Sequence, residues 1–146
     1  MAENRTTDPA TRDPDCVFCR IIAGELPGTF VARTDRAVAF MDIAPATRGH
    51  VLVVPVRHAP DLMAAEPDDV TAVALLAQDI ARRATKRLGA DGVNLFQSSG
   101  AAAWQEVFHL HVHVVPRYVG DPLVLPWSGR AGDPEQIRAA ATELGG

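Results

Sequence analysis

Three histidines alternate along one apolar run, Phe108-His109-Leu110-His111-Val112-His113-Val114-Val115-Pro116. In a strand, successive side chains point to opposite faces, so His109, His111 and His113 share one face and Leu110, Val112 and Val114 the other. A helix would scatter the rings by roughly 200° per step, and the Val, Leu and Phe around them favour a strand. Imidazoles do not serve as plain core filler, because buried ring nitrogens need partners. A neutral imidazole is a nucleophile near pH 7, since its free pKa of about 6.5 leaves most of it unprotonated. The competing chemistry is metal chelation, although a catalytic metal site usually also has a carboxylate or a bound water. A second cluster is Cys16-x-x-Cys19, which holds the only two cysteines of the chain. Two thiolates at this spacing read as half of a zinc site, as a redox pair or as two inert thiols. No strand precedes them, which disfavours the redox reading.

The rest of the composition narrows the class. The chain has 146 residues, 47% of them hydrophobic, which suits one domain with tails. A formal charge of −4 argues against a dedicated nucleic-acid binder, which would carry a basic stripe. The basic residues are nearly all arginine, with Lys86 the single lysine. No apolar run reaches the length of a membrane span. Residues 1–14 are polar and lack the apolar centre of a signal peptide, so we expect a disordered tail and a cytoplasmic protein.

These clusters must be held by a small set of elements. Cys16 to Ala23 predicts a short helix stopped by Gly24. Phe30–Arg33, Ala37–Met41 and His50–Pro55 predict three strands, the last buried on both faces because Val51 to Val54 are all apolar. Pro67, Asp68 and Asp69 open a helix in which Val70, Val73, Ala77, Ile80, Ala84 and Leu88 recur at three and four residues. Arg87 and Gly89 close it. Val93–Gln97 and the histidine run predict two further strands. Residues 119–146 form an extension that is rich in Pro and Gly and ends in an amphipathic helix from Pro134. The fold class is α+β: a five-stranded antiparallel sheet with one long helix, plus short N-terminal and C-terminal helices.

The histidine run resembles the signature of the histidine-triad (HIT) superfamily, His-φ-His-φ-His-φ-φ with φ apolar. Cys16 to Pro27, Ala39 to Pro45, Arg48 to Pro55, Arg57-His58 and Gln105 to Phe108 are similar to blocks of its Hint-like branch in the same order, so residues 15–118 are expected to form the HIT domain. The resemblance implies a homodimer acting on a purine nucleotide or nucleoside phosphoramidate, with no nucleic acid and no membrane involved. It implies cleavage at the α-phosphate through a nucleotidyl-histidine intermediate that needs no metal. His111 would be the nucleophile, and His113, His109 and His50 would complete the catalytic set. Phe18, Ile21, Phe40 and Ile43 would wall the purine, Asp42 would accept from the ribose hydroxyls, and Ser98, Gln105 and Val107 would line the nucleotide site. It also implies a structural zinc on Cys16, Cys19, His58 and His109, with His50 as the competing ligand. Alternatives are a dinucleoside polyphosphate hydrolase of the Fhit-like class and a non-catalytic nucleotide-binding dimer. The chain departs from the branch at Ser98, where Asn is common, at Glu106, where Ser or Thr is common, and at Trp104, where Gly is usual. We expect Glu106 to face solvent, Trp104 to narrow the mouth of the site or touch a partner subunit, and Leu123 to Trp127 to reach toward a partner's site.

Overall fold

In the computed structural model, which describes residues 11–146, the elements run α1 (Val17–Ile22), β1 (Phe30–Arg33), β2 (Ala37–Met41), β3 (Val51–Pro55), α2 (Pro67–Leu88), β4 (Gly92–Gln97), β5 (Val112–Arg117) and α3 (Pro134–Glu143). The five strands form one sheet in the order β1-β2-β3-β5-β4, and every neighbouring pair is antiparallel. The doubly buried β3 sits at its centre, as its unbroken apolar run predicts.

Alternation along the strands divides the molecule into two layers. Ala37, Ala39, Val51, Val53 and Val114 face α2, where Val73, Leu76, Ala77 and Ile80 meet them at helical spacing. Each of the larger aliphatic side chains contributes roughly 1.5–3 kcal/mol through burial. Val38, Phe40, Leu52 and Val54 face the other way, against Phe18, Cys19 and Ile22 of α1. Pro67 opens α2 and Gly89 closes it with φ of 70°, so both predicted ends stand. Gly49 has φ of 87°, a left-handed conformation that favours glycine, and a Cβ there would push the end of the Leu88 side chain aside.

Two expectations need adjustment. The histidine strand enters the ladder only at Val112, which pairs with Val53 and Gln97, so His109 and His111 lie on the approach to β5. Of the tail, residues 1–10 lie outside the described residues. Thr11 to Asp15 are already tied to the domain: the His58 amide donates to the Thr11 carbonyl (2.7 Å), and Arg12 pairs with Glu25. Helix α3 forms where its pattern places it and buries none of its residues. No described helix is long and apolar enough to cross a membrane.

Candidate active site and metal centre

The five histidines separate into two groups on the α1 side of the sheet. His50, His111 and His113 form one, and His58 and His109 join the cysteines in the other. The three rings of the alternating run therefore have different partners.

The hydrogen bonds of the first group fix where its protons sit. His111 Nδ1 lies 2.7 Å from the His109 carbonyl oxygen, which can only accept. Nδ1 therefore carries the proton, and Nε2 keeps its lone pair. The ring is buried, 7% exposed, and lies edge-on to Phe18 at 5.2 Å between centroids. Even so, Nε2 has no partner among the described residues and is not sealed from solvent. His50 Nδ1 accepts from the Ala46 amide (3.0 Å), so its proton is on Nε2. That Nε2–H donates to His113 Nδ1 at 2.9 Å. In the neutral His113 ring the remaining proton must then be on Nε2. The group thus presents one ring nitrogen with a lone pair, on His111, beside one N–H donor, on His113, with ring centroids 5.0 Å apart.

Burial holds His50 below the ordinary imidazole pKa, although the Asp42 carboxylate opposes this. Burial, reinforced by His111 and His50, takes His113 down to about 4. Asp42 Oδ2 faces both rings, at 3.5 Å from His50 Nε2 and 3.9 Å from His113 Nδ1, and the Ala44 amide donates to Oδ1 (2.8 Å). Asp42, His50 and His113 also have metal-ligand types within 4.8 Å of one another, but the two imidazoles already share a proton.

In the second group, His109 is fully buried and its Nε2–H donates to the Pro55 carbonyl (2.8 Å), which leaves the Nδ1 lone pair facing inward. Nδ1 lies 3.5 Å from the Sγ atoms of both Cys16 and Cys19 and 3.2 Å from His58 Nδ1. Cys19 Sγ is 3.4 Å from His58 Nδ1. A tetrahedral zinc with ordinary bond lengths requires N–N and S–N edges of about 3.3 and 3.6 Å, so the four atoms match that donor set. The far nitrogen of His109 is oriented by Pro55, and the Asp13 carboxylate stands 3.9 Å from the far nitrogen of His58, beyond hydrogen-bond reach. His50, the competing ligand, belongs to the other group. Burial lowers the His109 pKa to about 4 and raises the Cys19 thiol to about 11.

The remaining sequence-predicted residues divide. Phe18 and Phe40 are buried and pack edge to face at 5.4 Å, and Ile21 lies beside them in the same apolar layer, as does Val107. Ile43 is fully exposed, two residues beyond the end of β2. Ser98 is buried at the end of β4. Gln105 spends its amide on the loop rather than on the cleft. Its Oε1 accepts from the Gly100 amide (2.8 Å), and its Nε2 donates to the carbonyls of Pro60 (2.6 Å) and Val107 (3.0 Å). Glu106 is exposed. Trp104 adopts φ of 70°, the left-handed conformation that explains why glycine suits this position. Its ring stacks on Phe96 (6.4 Å, 11°) and meets Trp127 of the same chain (6.3 Å), while Phe96 lies 6.1 Å from His113. Sequence reasoning missed this aromatic row and the place of Asp13. The row joins residues far apart in sequence, and Asp13 lay within the expected tail.

Residues 23–120 match the model of the HIT domain, and the chain belongs to the HIT family. An uncharacterized HIT-like protein of Mycobacterium tuberculosis is 44% identical over 108 residues, covering 74% of this chain and 75% of its own length. The adenosine 5'-monophosphoramidase hnt1 of Schizosaccharomyces pombe is 34% identical over 130 residues, covering 88% and 95%. Among solved structures, SMU.412c of Streptococcus mutans superposes with a TM-score of 0.87 at 31% identity, covering 94% of this chain and 87% of that one. A zinc-bound histidine triad family protein of Mycobacterium smegmatis does so with a TM-score of 0.73 at 41% identity, covering 89% and 95%.

Proposed function

We propose that the protein is a nucleotide hydrolase or transferase that cleaves purine nucleoside phosphoramidates, or related nucleotidyl conjugates, at the α-phosphate through a nucleotidyl-His111 intermediate. The observation that carries this reading is the proton placement: His111 Nδ1–H is held by the His109 carbonyl, and Nε2 is unpartnered and reachable. In the first step the Nε2 lone pair bonds to the α-phosphorus as the P–N bond to the leaving amine breaks, the amine nitrogen taking a proton from solvent. In the second, water bonds to the phosphorus and gives up a proton to solvent as the bond to Nε2 breaks, which frees the nucleoside monophosphate and returns the lone pair to Nε2. His113 Nε2–H binds a phosphate oxygen, and His50 keeps that proton in place. His109 supports the nucleophile through its carbonyl. Phe18, Ile21 and Phe40 supply apolar surface for the base, and Asp42 accepts from the ribose hydroxyls. The likeness to an adenosine 5'-monophosphoramidase supports this class of substrate.

Cys16, Cys19, His58 and His109 would hold a structural zinc, which would lock α1 to the approach of β5. The metal takes no part in the chemical steps. A homodimer and a cytoplasmic location belong to the same reading.

The test is turnover of a fluorogenic adenosine tryptamine phosphoramidate beside diadenosine tri- and tetraphosphate. The reading requires phosphoramidate turnover that His111→Asn abolishes. Faster turnover of the dinucleotides would assign the Fhit-like activity instead. Tight AMP binding without any turnover would assign a binding protein.

A further inference from the structure

We propose that a cavity on the face of the sheet opposite the histidines binds a hydrophobic carboxylate the size of a medium-chain fatty acid. The cavity has a volume of about 400 Å³ and lies between the C-terminal half of α2 and the ends of β1, β2 and β3. Val31, Met41, Val51, Ile80 and Leu88 make its wall almost wholly apolar. The hollow opens to solvent as a groove, and its volume is within the range of small-molecule sites.

The rim supplies the charge. Arg48, Arg83 and Arg87 line the cavity. Arg83 is tied to Asp79 at 2.7 Å. Arg48 and Arg87 meet no carboxylate among the described residues. Arg87 is in the last turn of α2, where the helix dipole favours a cation. Arg48 comes from the loop before β3 and has no such reason to be there. Gly49 follows it in the left-handed conformation (φ 87°) that favours glycine, and Arg48 lines the hollow beside it. An aliphatic tail in the apolar hollow would put its carboxylate between two guanidinium forks, which bind carboxylates in a bidentate way. The wall offers no buried polar group to read a base or a sugar, so a nucleotide does not suit it. Met41 and Val51 face α2, whereas their chain neighbours Asp42 and His50 belong to the histidine site. The two sites are therefore separate, and occupation of one leaves the other open.

Isothermal titration with decanoate, decanol and decyltrimethylammonium, each below its micelle concentration, tests the proposal on the full chain. Methyl NMR of Val31, Met41, Val51, Ile80 and Leu88 locates the site. We expect saturable one-to-one binding of decanoate with shifts confined to those methyls. Decanol should bind at least tenfold more weakly, and the cation should not bind. The surface double variant Arg48→Glu, Arg87→Glu should fold normally and lose at least tenfold in decanoate affinity. Ala84→Leu should abolish binding by filling the hollow. Equal affinity for decanol, undiminished binding in the double variant, or shifts on the Phe18 and Phe40 side would overturn the proposal. So would shifts of the same methyls that follow protein concentration without decanoate, because they would make a second copy of the chain the occupant.

Discussion

Substituting His50 separates two jobs that this one ring performs. Its Nδ1 accepts from the Ala46 amide, and its Nε2 donates to His113 Nδ1 at 2.9 Å. Asparagine can imitate the Nδ1 acceptor but does not reach His113, whereas glutamine can place an amide N–H near the position of Nε2. In His50→Asn the half-buried His113 ring loses its donor and with it the fixed Nε2–H. A lost hydrogen bond at a buried group costs about 1–3 kcal/mol. If that bond matters fully in the transition state, kcat/KM falls roughly 5- to 150-fold, since 1.36 kcal/mol is tenfold in rate. His50→Gln should retain most of the activity. The assay is steady-state hydrolysis of the fluorogenic adenosine phosphoramidate, with Tm measured in parallel to separate folding from chemistry. Equal loss in both variants, or full activity in His50→Asn, refutes the proton placement argued for His113.

Removing metal from the cysteine site should loosen the whole α1 layer. Cys16→Ala and Cys19→Ser should abolish stoichiometric zinc by elemental mass spectrometry and lower Tm by several degrees, and a strong chelator should do the same to the unmodified protein. The pH dependence follows from His113. Its folded pKa is about 4 and its unfolded value about 6.5. Between these values the unfolded chain binds a proton that the folded chain refuses. Stability is therefore greatest above pH 6.5 and falls as pH drops toward 4, His113 giving up to about 3 kcal/mol of the fall and His50 and His109, which burial also holds below the ordinary value, adding to it, as urea titrations at a series of pH values would measure.

The elements were legible because local chemistry and packing agree. The unbroken Val51–Val54 run placed β3 at the centre of the sheet, and Pro67 and Gly89 marked both ends of α2. The residue types of the candidate site were legible in the alternation, but the separate parts of the three rings were implied only by the resemblance, which grouped His109 with the cysteines. The geometry behind that grouping is long-range: Pro55, 54 residues away, holds the far nitrogen of His109 and leaves Nδ1 beside both Sγ atoms. Gln105 read as a ligand because it sits in a matching block. Its amide instead satisfies three backbone groups of its own loop and a neighbouring one, an arrangement that only tertiary structure reveals. Such long-range partners leave no periodic trace in the chain.

The most direct test of the central claim is intact mass spectrometry of the protein, quenched within its first turnovers on an adenosine phosphoramidate and kept from acid. The account predicts a mass increase of one adenylyl group, mapped to His111 by peptide fragmentation and absent in His111→Asn. Turnover with no adduct under any quench, or an adduct on a different side chain, would contradict it.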